Sequence, residues 1–305
     1  MLPDSLSLVL ATLGLAVMVA VWWVNRLERR RLEQLNPVRR EPTSHWWSGP
    51  ASTVATARSD GLEELAPNEL FEWPVFFRVD KSQGPAWVEM VSSRMRCGSK
   101  PMRFGRDGAL WVSLLLCTRQ GPLSLSEHTE FVERVFEIGK RFGARPEGMK
   151  TFAEAHGLSR DAERTMSDLD GQLAFHLVTD SPPSLEAISS AWRQCGLQER
   201  GEGRFSMVGA DSEVQFSVLP GDQGRLCSLL LDLPRASEPV SVLDSMFEVS
   251  DQMAAWFDAE LVDDRDIVLS RHAQSVIREQ VKERADALAS AGLLPGGPLS
   301  RLVFQ

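Results

Sequence analysis

The chain carries no excess of positive charge: 33 Lys and Arg stand against 42 Asp and Glu in 305 residues, a formal net charge of −9. A protein that grips nucleic acid by neutralising phosphates needs a basic face, so this balance argues against that class. A Cys-x-x-Cys pair is also missing. The four cysteines, Cys97, Cys117, Cys195 and Cys227, are scattered, which writes neither a zinc ribbon nor a thioredoxin-like motif. Cys117 and Cys227 lie in or beside apolar runs, where a free thiol behaves as a small buried hydrophobe, so reduced thiols in a cytoplasmic domain are expected rather than two disulfides. The five histidines, His45, His128, His156, His176 and His272, form no His-Glu-x-x-His or other close metal pair and read as surface or core imidazoles. No Gly-x-Ser-x-Gly elbow, Walker loop or Gly-x-Gly-x-x-Gly follows a strand. Gly201 and Gly203 mark only a turn, and Asp263 with Asp264 reads as a turn ahead of a helix rather than an acid–base pair. These absences point away from an enzyme, a small-molecule substrate and any metal or organic cofactor.

What is present begins with Leu6 to Val24, LSLVLATLGLAVMVAVWWV, 19 residues without a formal charge. At about 1.5 Å rise per residue this nearly spans a hydrocarbon core of about 30 Å. Trp22 and Trp23 close the run and Arg26, Arg29, Arg30 and Arg31 follow it. Indoles favour the headgroup boundary and positive charge stays inside, which predicts a single-pass membrane anchor with the N-terminus outside and the rest cytoplasmic. A cleaved signal peptide would carry its basic cluster before the apolar run, not after it. Residues 25–68 read as a basic juxtamembrane helix, ending near Pro37, and a flexible linker rich in Pro, Ser, Thr, Ala and Gly. Trp46 and Trp47 in that linker touch either the bilayer surface or a partner, or form a chance pair.

From Trp73 the chain repeats itself. Ser113 to Ala144 lies without a gap over Ser228 to Ala259 at an offset of 115, with Ser-Leu-Leu-Leu, Ser126, Glu133, Phe142 and Ala144 recurring at Ser241, Glu248, Phe257 and Ala259. Upstream, VFFRVD at Val75 matches AFHLVT at Ala174, and Cys97-Gly98 matches Cys195-Gly196. Ser124-x-x-Glu127 opens an amphipathic helix with Phe131, Val135, Ile138 and Phe142 on one face. Ser241 caps its counterpart, whose stripe is Met246, Val249, Met253 and Trp256 or Phe257. The pattern predicts an α+β fold: a split β-α-β antiparallel sheet with helices on one face, in two tandem copies spanning 69–170 and 171–290, with a tail at 291–305. About 17 residues occur only in the second copy and include a strand from Glu213 to Leu219.

Helices on one side leave the other sheet face open. Alternation along the strands places Leu173, Phe175 and Leu177, Gln215, Ser217 and Leu219, and Leu230 as candidates for that face, an apolar patch suited to a protein partner. Packing against the first copy's sheet is the alternative.

The second copy resembles the C-terminal domain of the ZipA cell-division family. The resemblance rests on LAFHLV opening the domain, FSVLPG at Phe216 to Gly221, SLLLDLP at Ser228 to Pro234 and AELVDDRDIVLSRHAQSVIREQV from Ala259 to Val281. It covers roughly Gly171 to Ala287. It implies a non-enzymatic domain that binds the C-terminal tail of FtsZ in a shallow apolar groove on the sheet and tethers the division ring to the inner membrane. By position the groove involves Leu173, Phe175, Gln215, Ser217 and Leu230. The family has small or apolar residues where this chain has Gln215 and Ser217, and its usual plan has no first copy. The alternative is a membrane-anchored scaffold that binds another protein, or itself, through the tandem domains.

Overall fold

The computed structural model describes residues 66–78, 95–107, 109–181, 183–209, 212–221 and 225–305. The anchor expected at Leu6 to Val24, the basic segment and most of the linker lie outside the described residues. Among the described residues no helix is long and apolar enough to cross a membrane.

In the first lobe β1 (Glu72–Phe77) lies between β4 (Ala109–Leu115) and β7 (Pro146–Glu147), and β3 (Lys100–Asp107) and β2 (Arg96–Cys97) extend the sheet to the order β2-β3-β4-β1-β7. Strand alternation sorts its side chains. Trp73, Val75 and Phe77 pair with Leu114, Val112 and Leu110, and all six are buried. They face helix α1 (Leu125–Phe142), where Phe131 meets Trp73 edge-on with ring centroids 4.8 Å apart. The expected capping box forms, with Ser124 accepting from the Glu127 N–H and Glu127 returning to the Ser124 backbone, and the helix stops at Gly143 with φ 62°, a left-handed geometry that glycine adopts at least cost. Phe131, Val135, Ile138 and Phe142 are its buried stripe. The hairpin of β5 (Cys117–Thr118) and β6 (Gly121–Pro122) leads into α1, and α2 (Phe152–Leu169) closes the lobe.

The second lobe follows a closely related plan. β8 (Gln172–Val178), α3 (Leu185–Gln194), β9 (Gln198–Gly201), β10 (Arg204–Val208), β11 (Val214–Pro220), β12 (Arg225–Asp232), α4 (Pro239–Phe257), β13 (Glu260–Val262) and α5 (Arg271–Ser290) follow in turn. The sheet order is β13-β8-β12-β11-β10-β9, antiparallel throughout. From the strand that follows the long helix, one sheet runs β7-β1-β4-β3 and the other β13-β8-β12-β11. Three expectations need correction. The strand at 214–220 has a positional counterpart in β3, so among the described residues the strand without a counterpart in the first sheet is the outer edge β9. Trp73 pairs with Leu114 and Phe175 with Leu229, so once Ser113 is set on Ser228 the Phe175 position corresponds to Trp73 rather than Phe76. Ser241 does not cap α4: Pro239 occupies its first turn and Glu238, at φ 49°, is the N-cap without a side-chain hydrogen bond. A proline's missing N–H and fixed φ suit that place.

Both lobes belong to one unit, Thr56–Gln305, and share a single hydrophobic core. Arg119, in the β5–β6 turn, joins them. Its guanidinium donates to Asp170 at 2.6 and 3.0 Å, to Asp232 at 2.5 and 2.8 Å and to the Phe304 carbonyl at 2.8 Å. Burial opposes its charge, but the hydrogen bonds it donates to Asp232 and Asp170 outweigh that and hold its pKa above the ordinary arginine value. The tail forms α6 (Pro298–Val303) and buries Leu293, Val303 and Phe304. A fork of fixed donors meeting two carboxylates is an arrangement lysine does not reproduce.

Candidate functional site

Ladder partners on adjacent strands place their side chains on one side of a sheet. Leu173, Phe175 and Leu177 pair with Leu231, Leu229 and Cys227. Phe175 is 4% exposed and Leu177 fully buried, and the Phe175 ring packs on Phe247 of α4 at 5.3 Å. The face expected for these three is therefore reversed: they form the core beneath α4. The cause is that both sides of β8 are largely apolar, so alternation alone does not say which one the helices cover.

The opposite side carries Ala174, His176 and Val178 from β8, Ser228 and Leu230 from β12, and Ser217 and Leu219 from β11. Ser217 pairs with Leu230, Leu219 with Ser228, and Ser228 with His176. Ala174, Val178, Ser217, Leu219 and Leu230 are half-buried, as on a sheet side that no helix seals. Ser217, Leu219 and Leu230 thus stand on the face expected for them. Gln215 does not belong to this row. Between Met207 and Val208 the register jumps, pairing Met207 with Phe216 and Val208 with Val214, so a bulge skips Gln215. It lines instead a cleft of about 490 Å³ with Met207, Ser237, Ser241 and Ser245 at the start of α4.

A polar track that the sequence did not announce crosses this face. His176 Nδ1 lies 2.8 Å from Ser228 Oγ, and Nε2 lies 2.9 Å from Asp264 Oδ1. A carboxylate only accepts, so Nε2 carries the proton facing Asp264, and a neutral ring then accepts from the Ser228 hydroxyl. The trio has the composition of a nucleophilic triad, yet β12 is paired with β11 on one side and β8 on the other. Its backbone donors are spent in those ladders rather than aimed at an oxyanion. The track is a strut. It pins the turn after β13, where Asp263 Oδ1 accepts from the N–H groups of Arg265 and Ile267 at 2.8 and 2.9 Å and Val268 bridges Val262. Ile267 and Val268 are left 58% and 52% exposed there.

On the side of the first sheet away from α1, the described residues Pro74 and Phe76 are half-buried and their neighbours are buried. Away from α1, Glu72 is 1% exposed, Trp111 1%, Ser113 0% and Arg103 5%, and Glu72 accepts from Arg103 at 2.6 Å and from Ser113 at 2.5 Å. Among the described residues no group of three His, Cys, Asp or Glu is placed to hold a metal ion.

Residues 172–280 match the family model of ZipA, C-terminal FtsZ-binding domain. The second lobe is thus similar to the C-terminal domain of ZipA. The match begins at the first residue of β8 and ends inside α5, so it takes in every strand of the second sheet. The first lobe lies outside it. No curated protein matches the chain. The ZipA C-terminal domain is a protein-binding adaptor domain and not an enzyme family.

Proposed function

We propose that the chain is a membrane-anchored cell-division adaptor whose second lobe binds the C-terminal tail of FtsZ on the sheet side formed by Ala174, Val178, Ser217, Leu219 and Leu230. The observation that carries this reading is the ZipA C-terminal FtsZ-binding match over 172–280 joined to the half-buried, mostly apolar sheet side of that segment. An extended or helical peptide laid across such a face contributes apolar side chains to Ala174, Leu219 and Leu230. Ser217 and Ser228 make the surface more polar than a wholly aliphatic groove, which favours a tail with hydrogen-bonding side chains between its apolar ones. Glu260, Asp264 and Asp266 make the β13 rim acidic and favour a basic residue at that end of the peptide. Leu6 to Val24 holds the chain in the inner membrane in this reading, and the linker gives the lobes reach toward the ring.

The test is fluorescence anisotropy of a labelled FtsZ C-terminal tail titrated with the full chain in neutral-lipid nanodiscs. Saturable binding lost with Leu230→Asp supports the reading. No saturation at high protein concentration removes tail recognition. A second reading, a scaffold that binds another protein or itself through duplicated lobes, draws support from the shared strand order. The offset of 115 carries β4 onto β12, α1 onto α4 and β7 onto β13, as duplication of an ancestral unit would.

A further inference from the structure

The first lobe carries a groove that the tail-binding reading leaves unused. It runs along the C-terminal half of α1 and the segment after it as an open hollow of about 590 Å³, lined by Phe136, Ala144, Pro146 and Met149. Phe136 is 56% exposed, a large aromatic left facing water on a helix whose other face is sealed. Gly143 keeps one wall bare, since a Cβ there would meet nothing within 4 Å. Lys140 and Arg145 line the same groove, and no acidic side chain does. Arg134, Arg78 and Arg164 pair with Glu130, Glu147 and Asp161, whereas Lys140 and Arg145, like Arg141 and Lys150, have no carboxylate within ion-pair distance among the described residues. The helix end accounts for Lys140, because a cation in the last turn opposes the negative end of the helix dipole. It does not account for Arg145, beyond the helix, or for the exposed Phe136.

From this we infer that the groove binds an acidic segment of a partner protein, with a bulky apolar side chain against Phe136, Pro146 and Met149 and carboxylates on Lys140 and Arg145. Two cations without a carboxylate partner among the described residues, on a chain of net charge −9, select a negatively charged occupant. The concave apolar floor favours a side chain inserted between the cations over a planar headgroup layer. The site lies outside the ZipA-matched residues, so its occupant does not depend on tail recognition by the second lobe.

The experiment titrates the full chain, in phosphatidylcholine nanodiscs, against a fluorescein-labelled dodecapeptide of alternating aspartate and leucine, with a lysine–leucine peptide as control. Saturable binding of the aspartate peptide is expected, weakened roughly tenfold or more when Lys140→Glu and Arg145→Glu are combined, as reversal of interface charges does. Phe136→Ser weakens it as well, and since all three side chains are exposed, the circular dichroism melt stays cooperative and shifts by only a few degrees, the share of Lys140 at the helix end. Binding of the FtsZ tail is unaffected by these substitutions. No saturation, or equal binding of the lysine peptide, overturns the inference. A variant effect seen only on nanodiscs containing phosphatidylglycerol also overturns it, by assigning the patch to lipid headgroups.

Discussion

Phe175 and Phe247 pack ring against ring, with centroids 5.3 Å apart and planes inclined by 34°. This contact decides which side of β8 is interior. A carboxylate at Phe175 would be buried without a partner, so Phe175→Asp is expected to cost about 3–5 kcal/mol and to unfold much of the population. Leu230→Asp, on the other side, is expected to cost less than about 1.5 kcal/mol while abolishing tail binding. Urea denaturation of both variants beside the anisotropy titration separates core from surface. Equal destabilisation by the two would mean that the Leu230 side is also sealed.

Arg119 offers the second test. Removing it leaves Asp170 and Asp232 facing each other across the lobe junction and frees the Phe304 carbonyl. Because the three side chains are only partly shielded, with 20–31% of their surface exposed, Arg119→Ala is expected to cost about 2–3 kcal/mol, below the range for fully buried pairs. Arg119→Lys should recover less than half of that, since an ammonium cannot span both carboxylates. Amide exchange in α6 should quicken in both variants, and unchanged protection there would rule out a latch.

At the start of α1, Ser124→Ala removes one half of the capping box and strands the Glu127 N–H. A loss of about 1 kcal/mol is expected. Glu127 also accepts from Ser99 Oγ at 2.5 Å. Burial raises the pKa of its carboxyl, but the hydrogen bonds from Ser99 and Ser124 outweigh it and hold that pKa below the ordinary value of 4.5. A depressed carboxylate contributes stability above its unfolded pKa, and that contribution fades as pH falls below about 4.5. Glu127→Gln should therefore flatten the acid limb of the stability curve.

The thiols supply a prediction of opposite sign. Burial pushes Cys97 and Cys117 from 9.0 up to about 12, and Cys227 is raised as well. These groups stay protonated in the folded chain where they would ionise in the unfolded one. Their contribution is complete below pH 9 and is lost as pH rises through about 12. Denaturation midpoints at pH 8 and pH 10.5 should show the decline, and replacing Cys97 and Cys117 by Ala should reduce it. At pH 8 a thiol-specific reagent should modify the half-exposed Cys195 first, leaving the other three until the chain unfolds.

Much of the fold was legible because its signals are local. The Ser124 capping box, the α1 stripe and the turn at Asp263 each depend on residues within one or two turns of chain. Ser217, Leu219 and Leu230 were placed on their face because Phe216, Val218 and Leu229 alternate with more polar neighbours. Phe175 was misplaced because β8 is apolar on both sides, and Gln215 because a bulge skips one residue and leaves no mark in composition. His176 and Asp264 lie 88 positions apart, so no short-range pattern joins them.

The sequence by itself determined the amphipathic helices, the Ser124 cap and the likeness of residues 172–280 to the ZipA C-terminal domain. Periodicity, caps and turns are read over a few residues, where the energetics are decided by immediate neighbours. Only the tertiary structure decided which sheet side meets α4, which side carries the Ser228–His176–Asp264 track, and how Arg119 ties Asp170 to Asp232. Those outcomes depend on contacts between residues distant in the chain, and the burial that selects among them exists only once both lobes have closed around a common core.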